Sequence, residues 1–552
     1  MFFTKKSGFL LTVLILIVTA GSLYAAGSQA SRAAPSGGKE TLVIGLQANS
    51  LITDYNNNKL TQYLENLHNI NLEFYLLPVA NNECTTKISL MVASNDLTDV
   101  FSTGALTWEQ IFTYGTSGIF LPLNKYLNDS TKAPYFNKVP EPDRSDMYKS
   151  STHADGNIYS LPQWEAEMWN LTPHRIYINK AWLGRLGLNV PTTTAELKNV
   201  LLAFRDRDPN GNGMKDEIGL YGWFSGTYGE NTIAAIINSF IFYNQNSLSL
   251  DSSGNRVIAP FVDPAFRKAL SYLNDLYQEG VLAASLFTDN QQQFRATLNS
   301  KPNIVGLTCA GSFSNWPEYA TTNENFKEMS VIEPFKGPDG VSWTPYTGYT
   351  PSQVGFITSK ARNPDLAMKF FDAFFDYDVS LTARYGEEGV DWSRKPEDLR
   401  KSSNIYVEMG MYPSLSVVQM STIWSTPSSQ FWHNMHPRWA PMEESLRKGD
   451  ILVPFEPDLP HVPNYVANYN YYRNRHPDKV LPVLNYNLED MTRNAEIITN
   501  VNEYVRQSIA EFTTNVRNIN NDAAWNAYLQ ELNNMGLQRW LTSAQTTYDR
   551  QK

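Results

Sequence analysis

Two spacings of apolar positions alternate along the first hundred residues that follow the N-terminal segment. Residues 41–46 form a short apolar run of strand length, and Leu60, Tyr63, Leu64 and Leu67 then recur at helical spacing. Leu72, Phe74 and Leu76 alternate with Glu73 and Tyr75, the period of a strand. Ile88, Leu90 and Met91 return to helical spacing, and Asp99-Val100-Phe101 opens another strand. The order β-α-β-α-β predicts a doubly wound α/β lobe.

Further along, Asp155-Gly156-Asn157-Ile158-Tyr159 reads as a turn followed by a strand edge. Tyr177-Ile178-Asn179-Lys180 leads into a helix over residues 180–186. Thr193-Thr194-Ala195-Glu196 is a capping box, in which a hydroxyl and a carboxylate satisfy N–H groups that the first helical turn leaves open. Leu197, Val200, Leu201 and Phe204 give that helix one apolar stripe. Helices are expected over residues 231–243, 264–279 and from Asn363, a strand over 303–307, and a mostly helical region over 488–550. No internal repeat interrupts this order.

At 552 residues the chain is too long for one core, so two or three domains are expected. A hydrophobic share of 42% with 18% charged residues fits a soluble globular protein, and the net charge of -10 argues against nucleic acid or an anionic membrane surface as partner. Lys5 and Lys6 followed by the apolar residues 9–20 have the form of a secretory signal ending near Ala25 or Ala26. An uncleaved anchor is the rival reading of that run. Residues 27–40 are rich in Ser, Ala and Gly and read as a tether. No Cys stands near the cleavage site for a lipid anchor, so an exported, soluble, periplasmic monomer is expected. Cys84 and Cys309 are read as two buried free thiols.

Residues 208–217, Asp-Pro-Asn-Gly-Asn-Gly-Met-Lys-Asp-Glu, carry the most specific chemistry in the chain. Asp208, Asn210, Asn212 and Asp216 fall at positions 1, 3, 5 and 9 of a calcium-type loop, and Gly213 falls where such a loop turns sharply. Met214 offers a backbone carbonyl. Position 12 is Gly219 in place of a bidentate Glu, with Glu217 at position 10 as the substitute. The expected ion is structural Ca²⁺. An Asn/Gly-rich turn that binds nothing is the alternative. Aromatic residues make up 13% of the chain. Flat rings cover the C–H faces of sugars, and polar groups satisfy their hydroxyls, each of which costs about 1–3 kcal/mol if buried unpaired. Trp164, Glu165, Trp169, Trp223, Trp316, Trp343, Trp424 and Trp432 are the candidate ligand residues. Core packing competes with that role for every Trp. Arg384 and Arg438 read as ion-pair partners at the surface.

The turn Asp155-Gly156-x-Ile158-Tyr159-x-Leu161-Pro162, the run from Asn179-Lys180-x-Trp182-Leu183 to Pro191-x-Thr193-x-x-Glu196, the loop that follows it, and Arg384-Tyr385-Gly386-Glu387-Glu388-Gly389-Val390-Asp391-Trp392 together resemble one family. It is that of the extracellular solute-binding proteins of carbohydrate ABC importers, in the long LplA-like branch with the calcium-bearing alginate oligosaccharide binders. The resemblance covers essentially the whole chain after the signal. It implies a two-lobed α/β periplasmic-binding-protein fold with a hinge, an interdomain ligand cleft and a helical C-terminal region. It implies an oligosaccharide ligand, ABC permease transmembrane subunits as partners, and no catalysis. It also implies Asp208, Asn210, Asn212, Asp216 and Glu217, with the Met214 carbonyl, as calcium ligands away from the sugar. Residues 41–160 with roughly 300–400 are expected in the first lobe, and roughly 161–299 with 401–552 in the second. A peptide binder on the same scaffold, a secreted glycoside hydrolase and a surface adhesin are the rival readings.

Overall fold

The computed structural model describes residues 38–165, 171–395 and 468–552 with short internal omissions, and residues 415–417, 428–432, 435–440 and 448–450 between them. The signal segment and most of the tether lie outside the described residues. The strands are β1 (Glu40–Gln47), β2 (Ile70–Leu77), β3 (Val100–Ser102), β4 (Leu161–Glu165), β5 (Arg175–Asn179) and β6 (Ile218–Leu220). The short β7 (Ser249–Leu250) and β8 (Val257–Ile258) pair as a ribbon. They are followed by β9 (Val305–Ala310), β10 (Met329–Ile332), β11 (Ser352–Ile357), β12 (Trp392–Ser393), β13 (Leu415–Val417), β14 (Arg438–Ala440) and β15 (Lys448–Asp450).

Two sheets carry the molecule. The first has the order β14-β4-β11-β3-β1-β2 and the second β10-β5-β9-β6. In the first, β1 runs parallel to β2 and β3, β11 is antiparallel to β3 and β4, and β14 is parallel to β4. Helices cover both faces, so its strands bury side chains on each side, which is why residues 41–46 read as an unbroken apolar run. Leu42, Ile44 and Leu46 enter one core with Trp432, while Phe101 and Phe356 enter the core on the other face. Helix Lys59–His68 buries Leu60 and Leu64 in the first of these, whereas Tyr63 and Leu67 of the expected stripe stay exposed.

A separate, larger core surrounds the second sheet. Helix Thr194–Asp206 contributes Leu197, Val200, Leu201 and Phe204 to it. Its capping box is formed, with the Glu196 N–H donating to Thr193 Oγ1 at 3.1 Å and the Thr193 N–H donating to Glu196 Oε2 at 3.2 Å. The helix expected over 231–243 is shorter, at Thr232–Ile237. The buried Asn238 ends it by donating Nδ2 to the carbonyls of Ala234 and Tyr243 at 2.9 and 2.8 Å. The helices Leu488–Thr513, Asp522–Asn534 and Leu537–Gln551 also pack on this second core.

Two parts of the expected lobe division are corrected by strand pairing. β9 and β10, placed in the first lobe by sequence position, pair in the second sheet because β9 runs between β5 and β6. β4 and β14, both placed in the second lobe by sequence position, pair with each other in the first sheet, where β4 also pairs with β11. Both cysteines are free and buried, Cys84 in the first half and Cys309 in the second. Burial pushes the Cys309 thiol up to about 12. None of the described helices is long and apolar enough to cross a membrane.

Four histidines tie the fold to pH. Burial holds His68, His153, His174 and His436 down at about 4. His153 is stacked 3.7 Å from the ring centroid of Trp108 and 5.2 Å from that of Phe112, with neither ring nitrogen partnered among the described residues. An unfolded chain protonates these imidazoles near 6.5, so their contribution to stability is complete above that pH and is lost as pH falls toward 4. Asp372, raised by burial to about 6, acts in the opposite sense, since its neutral form suits the fold. Four imidazoles outweigh one carboxyl. Scanning calorimetry is expected to show a steady Tm above pH 7 and a falling one between pH 6.5 and 4. His153→Phe, which removes one titrating ring and keeps the stack, is expected to shallow that fall.

Candidate functional site

Strand direction decides where a ligand can bind. In the first sheet β1, β2, β3, β4 and β14 end at one edge, at Gln47, Leu77, Ser102, Glu165 and Ala440. In the second sheet β6, β9 and β10 end at one edge, where β5 begins at Arg175. The chain leaves the first sheet at Glu165 and enters the second at Arg175. Residues 166–174 can span at most about 30 Å when extended. It returns from Ile332 to Ser352, the start of β11, at the same edge of the first sheet. The two edges are therefore strung together by chain, and the carboxyl ends of parallel strands are where α/β proteins bind ligands.

On the first sheet's edge a buried amide ties three loops together. Gln47 Oε1 accepts from Thr103 Oγ1 at 2.7 Å, and its Nε2 donates to the Val79 carbonyl at 3.0 Å and to Asn81 Oδ1 at 2.9 Å. At the end of β4, Glu165 Oε1 accepts from Arg438 Nη1 at 2.7 Å and from Arg384 Nη1 at 2.8 Å. The arginine side chains are 0% and 8% exposed. Both were expected as ion-pair partners at the surface; they are ion-paired, but inside. Arg438 also donates Nε to Ser380 Oγ at 3.0 Å.

On the second sheet's edge, Glu230 is buried. Its Oε2 accepts from the Tyr228 N–H at 2.8 Å and its Oε1 from Asn315 Nδ2 at 3.3 Å. Arg295 Nε donates to Asn315 Oδ1 at 3.2 Å. Gly229 lets this loop pass against the sheet. It has φ 84°, and a Cβ there would lie 2.1 Å from the Pro173 carbonyl oxygen. Trp223 sits half-buried at the start of the same loop, its N–H donating to the Glu230 carbonyl at 3.0 Å.

The tryptophans singled out from sequence fall in different surroundings. Trp164, Trp316 and Trp432 are 6%, 1% and 0% exposed and pack in the cores. Trp316 lies 5.1 Å from both Tyr177 and Phe326, and Trp432 donates Nε1 to Thr61 Oγ1 at 3.0 Å. Trp223 and Trp343 are half-buried, and Trp343 is held by its N–H on the Asn238 carbonyl. Trp169 and Trp424 lie outside the described residues. Gln47, Glu230 and Asn315 carried no signal in the sequence, because only the sheet topology brings Glu230 and Asn315 together.

The 208–217 loop links helix Thr194–Asp206 to β6. Asp208 accepts the N–H groups of Gly211 and Asn212 on Oδ1, at 3.0 and 3.1 Å, and that of Gly213 on Oδ2 at 2.9 Å. Gly211 and Gly213 have φ 75° and 77°, so the backbone curls around the carboxylate. Asn210 and Asn212 donate their Nδ2 groups to Asp216 at 3.0 and 2.9 Å. Glu217 Oε1 is buried with no hydrogen-bond partner among the described residues, and burial with the nearby Asp216 and Asp208 charges raises its pKa. Asp208, Asp216 and Glu217 have no Lys or Arg ion-pair partner among the described residues. They do not converge as a ready-made cluster of three acidic ligands.

Comparison with known proteins agrees with this architecture. The fructooligosaccharide ABC transporter substrate-binding protein FusA of Streptococcus pneumoniae serotype 4 is 24% identical, over 99% of this chain and 98% of its own. The solved structure of a FusA EF-hand mutant in complex with fructo-nystose matches 93% of this chain and 99% of that one, at 21% identity and a TM-score of 0.72. The alginate-binding protein AlgQ2, solved without calcium ion, matches 93% of this chain and 99% of its own, at 21% identity and a TM-score of 0.63. Residues 58–379, more than half of the chain, match the profile described as bacterial extracellular solute-binding protein, and the chain belongs to that family.

Proposed function

We propose that this chain is the substrate-binding component of an ABC sugar importer. It captures an oligosaccharide between its two halves, leaves it chemically unaltered and delivers it to transmembrane permease subunits. The observation that carries the reading is the end-to-end match to a fructooligosaccharide-binding component, over nearly the full length of both chains. The half-buried rings of Trp223 and Trp343 are the platforms a sugar needs, and the buried Glu230–Asn315 pair braces the loop that carries Trp223 from behind. Trp169, in the crossing segment, and Trp424 remain proposed contacts, whereas Trp164, Trp316 and Trp432 support the walls from within. Glu165 is committed to two guanidiniums, which suits a framework role better than a catalytic acid. The N-terminal segment exports the protein, which works as a soluble periplasmic monomer.

The 208–217 loop is proposed to hold a structural Ca²⁺. Three carboxylates without cationic partners, and one buried carboxylate oxygen without a donor, fit a hard cation. Asn210 and Asn212 would present their Oδ1 atoms after a half-turn of each amide. Asp208, Asn210, Asn212, Asp216, Glu217 and the Met214 carbonyl would hold the ion, whose positive charge offsets the acidic loop and pins helix Thr194–Asp206 to β6.

Titration calorimetry of the mature protein is expected to show saturable heat with kestose-type or other intact oligosaccharides and none with peptides. The sugar should be recovered unchanged by chromatography; turnover would instead mark a hydrolase. Trp223→Ala and Trp343→Ala are each expected to weaken binding about tenfold, the loss of one aromatic platform of about 1.4 kcal/mol. For the loop, EGTA is expected to lower Tm and added Ca²⁺ to restore it. Asp216→Ala is expected to abolish that response, and a Tm indifferent to EGTA would remove the ion from the account.

A further inference from the structure

We infer that the first turns of helix Leu488–Thr513 form the pivot on which the two halves rotate. This rests on the two-lobed fold and not on the identity of the ligand. The helix has 26 residues and is about 39 Å long. Ile497, Val501, Val505, Ile509 and Phe512 are buried in the core around the second sheet. Met491, near the other end, is 5% exposed and belongs to a core of the first half, with Phe101, Phe112, Tyr159 and Phe356. One rigid rod is thus seated in both cores.

The segment leading into the helix repeats the pattern. Asn485 is held from the second half, where its N–H donates to Gln551 Oε1 at 2.8 Å and its carbonyl accepts from Arg550 Nη2. Its side chain reaches the first half and donates Nδ2 to the Thr152 carbonyl. Thr152 directly precedes His153, the ring stacked on Trp108. Tyr486 packs against both cores and accepts from Trp540 Nε1 at 3.3 Å. Sliding the halves past each other here would pull Met491 from its seat and leave a cavity, which close-packed cores resist. Rotation about the contact keeps it filled. Met491 suits such a bearing, because an unbranched thioether readjusts its rotamers as its neighbours turn.

Electron–electron distance measurements on the sugar-free protein test this without involving ligand, so a failed sugar titration and a failed pivot are read separately. One nitroxide pair, Lys149→Cys with Glu489→Cys, spans the junction. A second, Asn82→Cys with Gln291→Cys, spans the halves away from it. All four positions are exposed and both native thiols are buried. The junction pair is expected to give a single narrow distance peak and the remote pair a broad or two-peaked one. Met491→Ala is expected to broaden the junction peak. A junction peak as broad as the remote one, two narrow peaks, or a junction peak unmoved by Met491→Ala would each overturn the pivot.

Discussion

Strand direction at the two sheet edges is the constraint on which the rest depends. Glu165 ends β4 and Arg175 begins β5, so the connection holds those two strand ends within about 30 Å of each other. The return from Ile332 to Ser352 joins the same two edges a second time. Buried polar groups, Gln47 on one side and Glu230 with Asn315 on the other, brace the loops at those edges.

A cleft between two moving halves needs firm roots on each side. The Arg384–Glu165–Arg438 group supplies one where the chain leaves the first sheet. Buried ion pairs bring little net stability against an apolar replacement, yet removing one partner costs about 3–5 kcal/mol, since the remaining charge is stranded. Their value is positional, because only one placement of Glu165 satisfies both guanidiniums. On the second side, Arg175 donates to the Gly311 carbonyl and the close backbone approach at Gly229 does the same work without charge.

Much of this was legible in the chain. The alternating periods after residue 40, the capping box at Thr193 and Glu196, and the C-terminal helices all emerge from local pattern, which local physics determines. The membership of β4, β9, β10 and β14 did not, because pairing partners far apart in sequence leave no local trace. The tryptophans illustrate the same limit. Loop-like surroundings do not distinguish Trp432, which fills a core against Phe74, from Trp223, which stays half-exposed at a strand edge. Glu230 and Asn315 were invisible for the converse reason, as ordinary polar residues made neighbours by the sheet alone.

The central claim is that the two halves draw together around an intact oligosaccharide. Small-angle X-ray scattering with and without a saturating oligosaccharide measures that most directly. The account predicts a smaller radius of gyration and a shorter maximum dimension in the loaded protein. A sugar that binds calorimetrically yet leaves the scattering curve unchanged would contradict it.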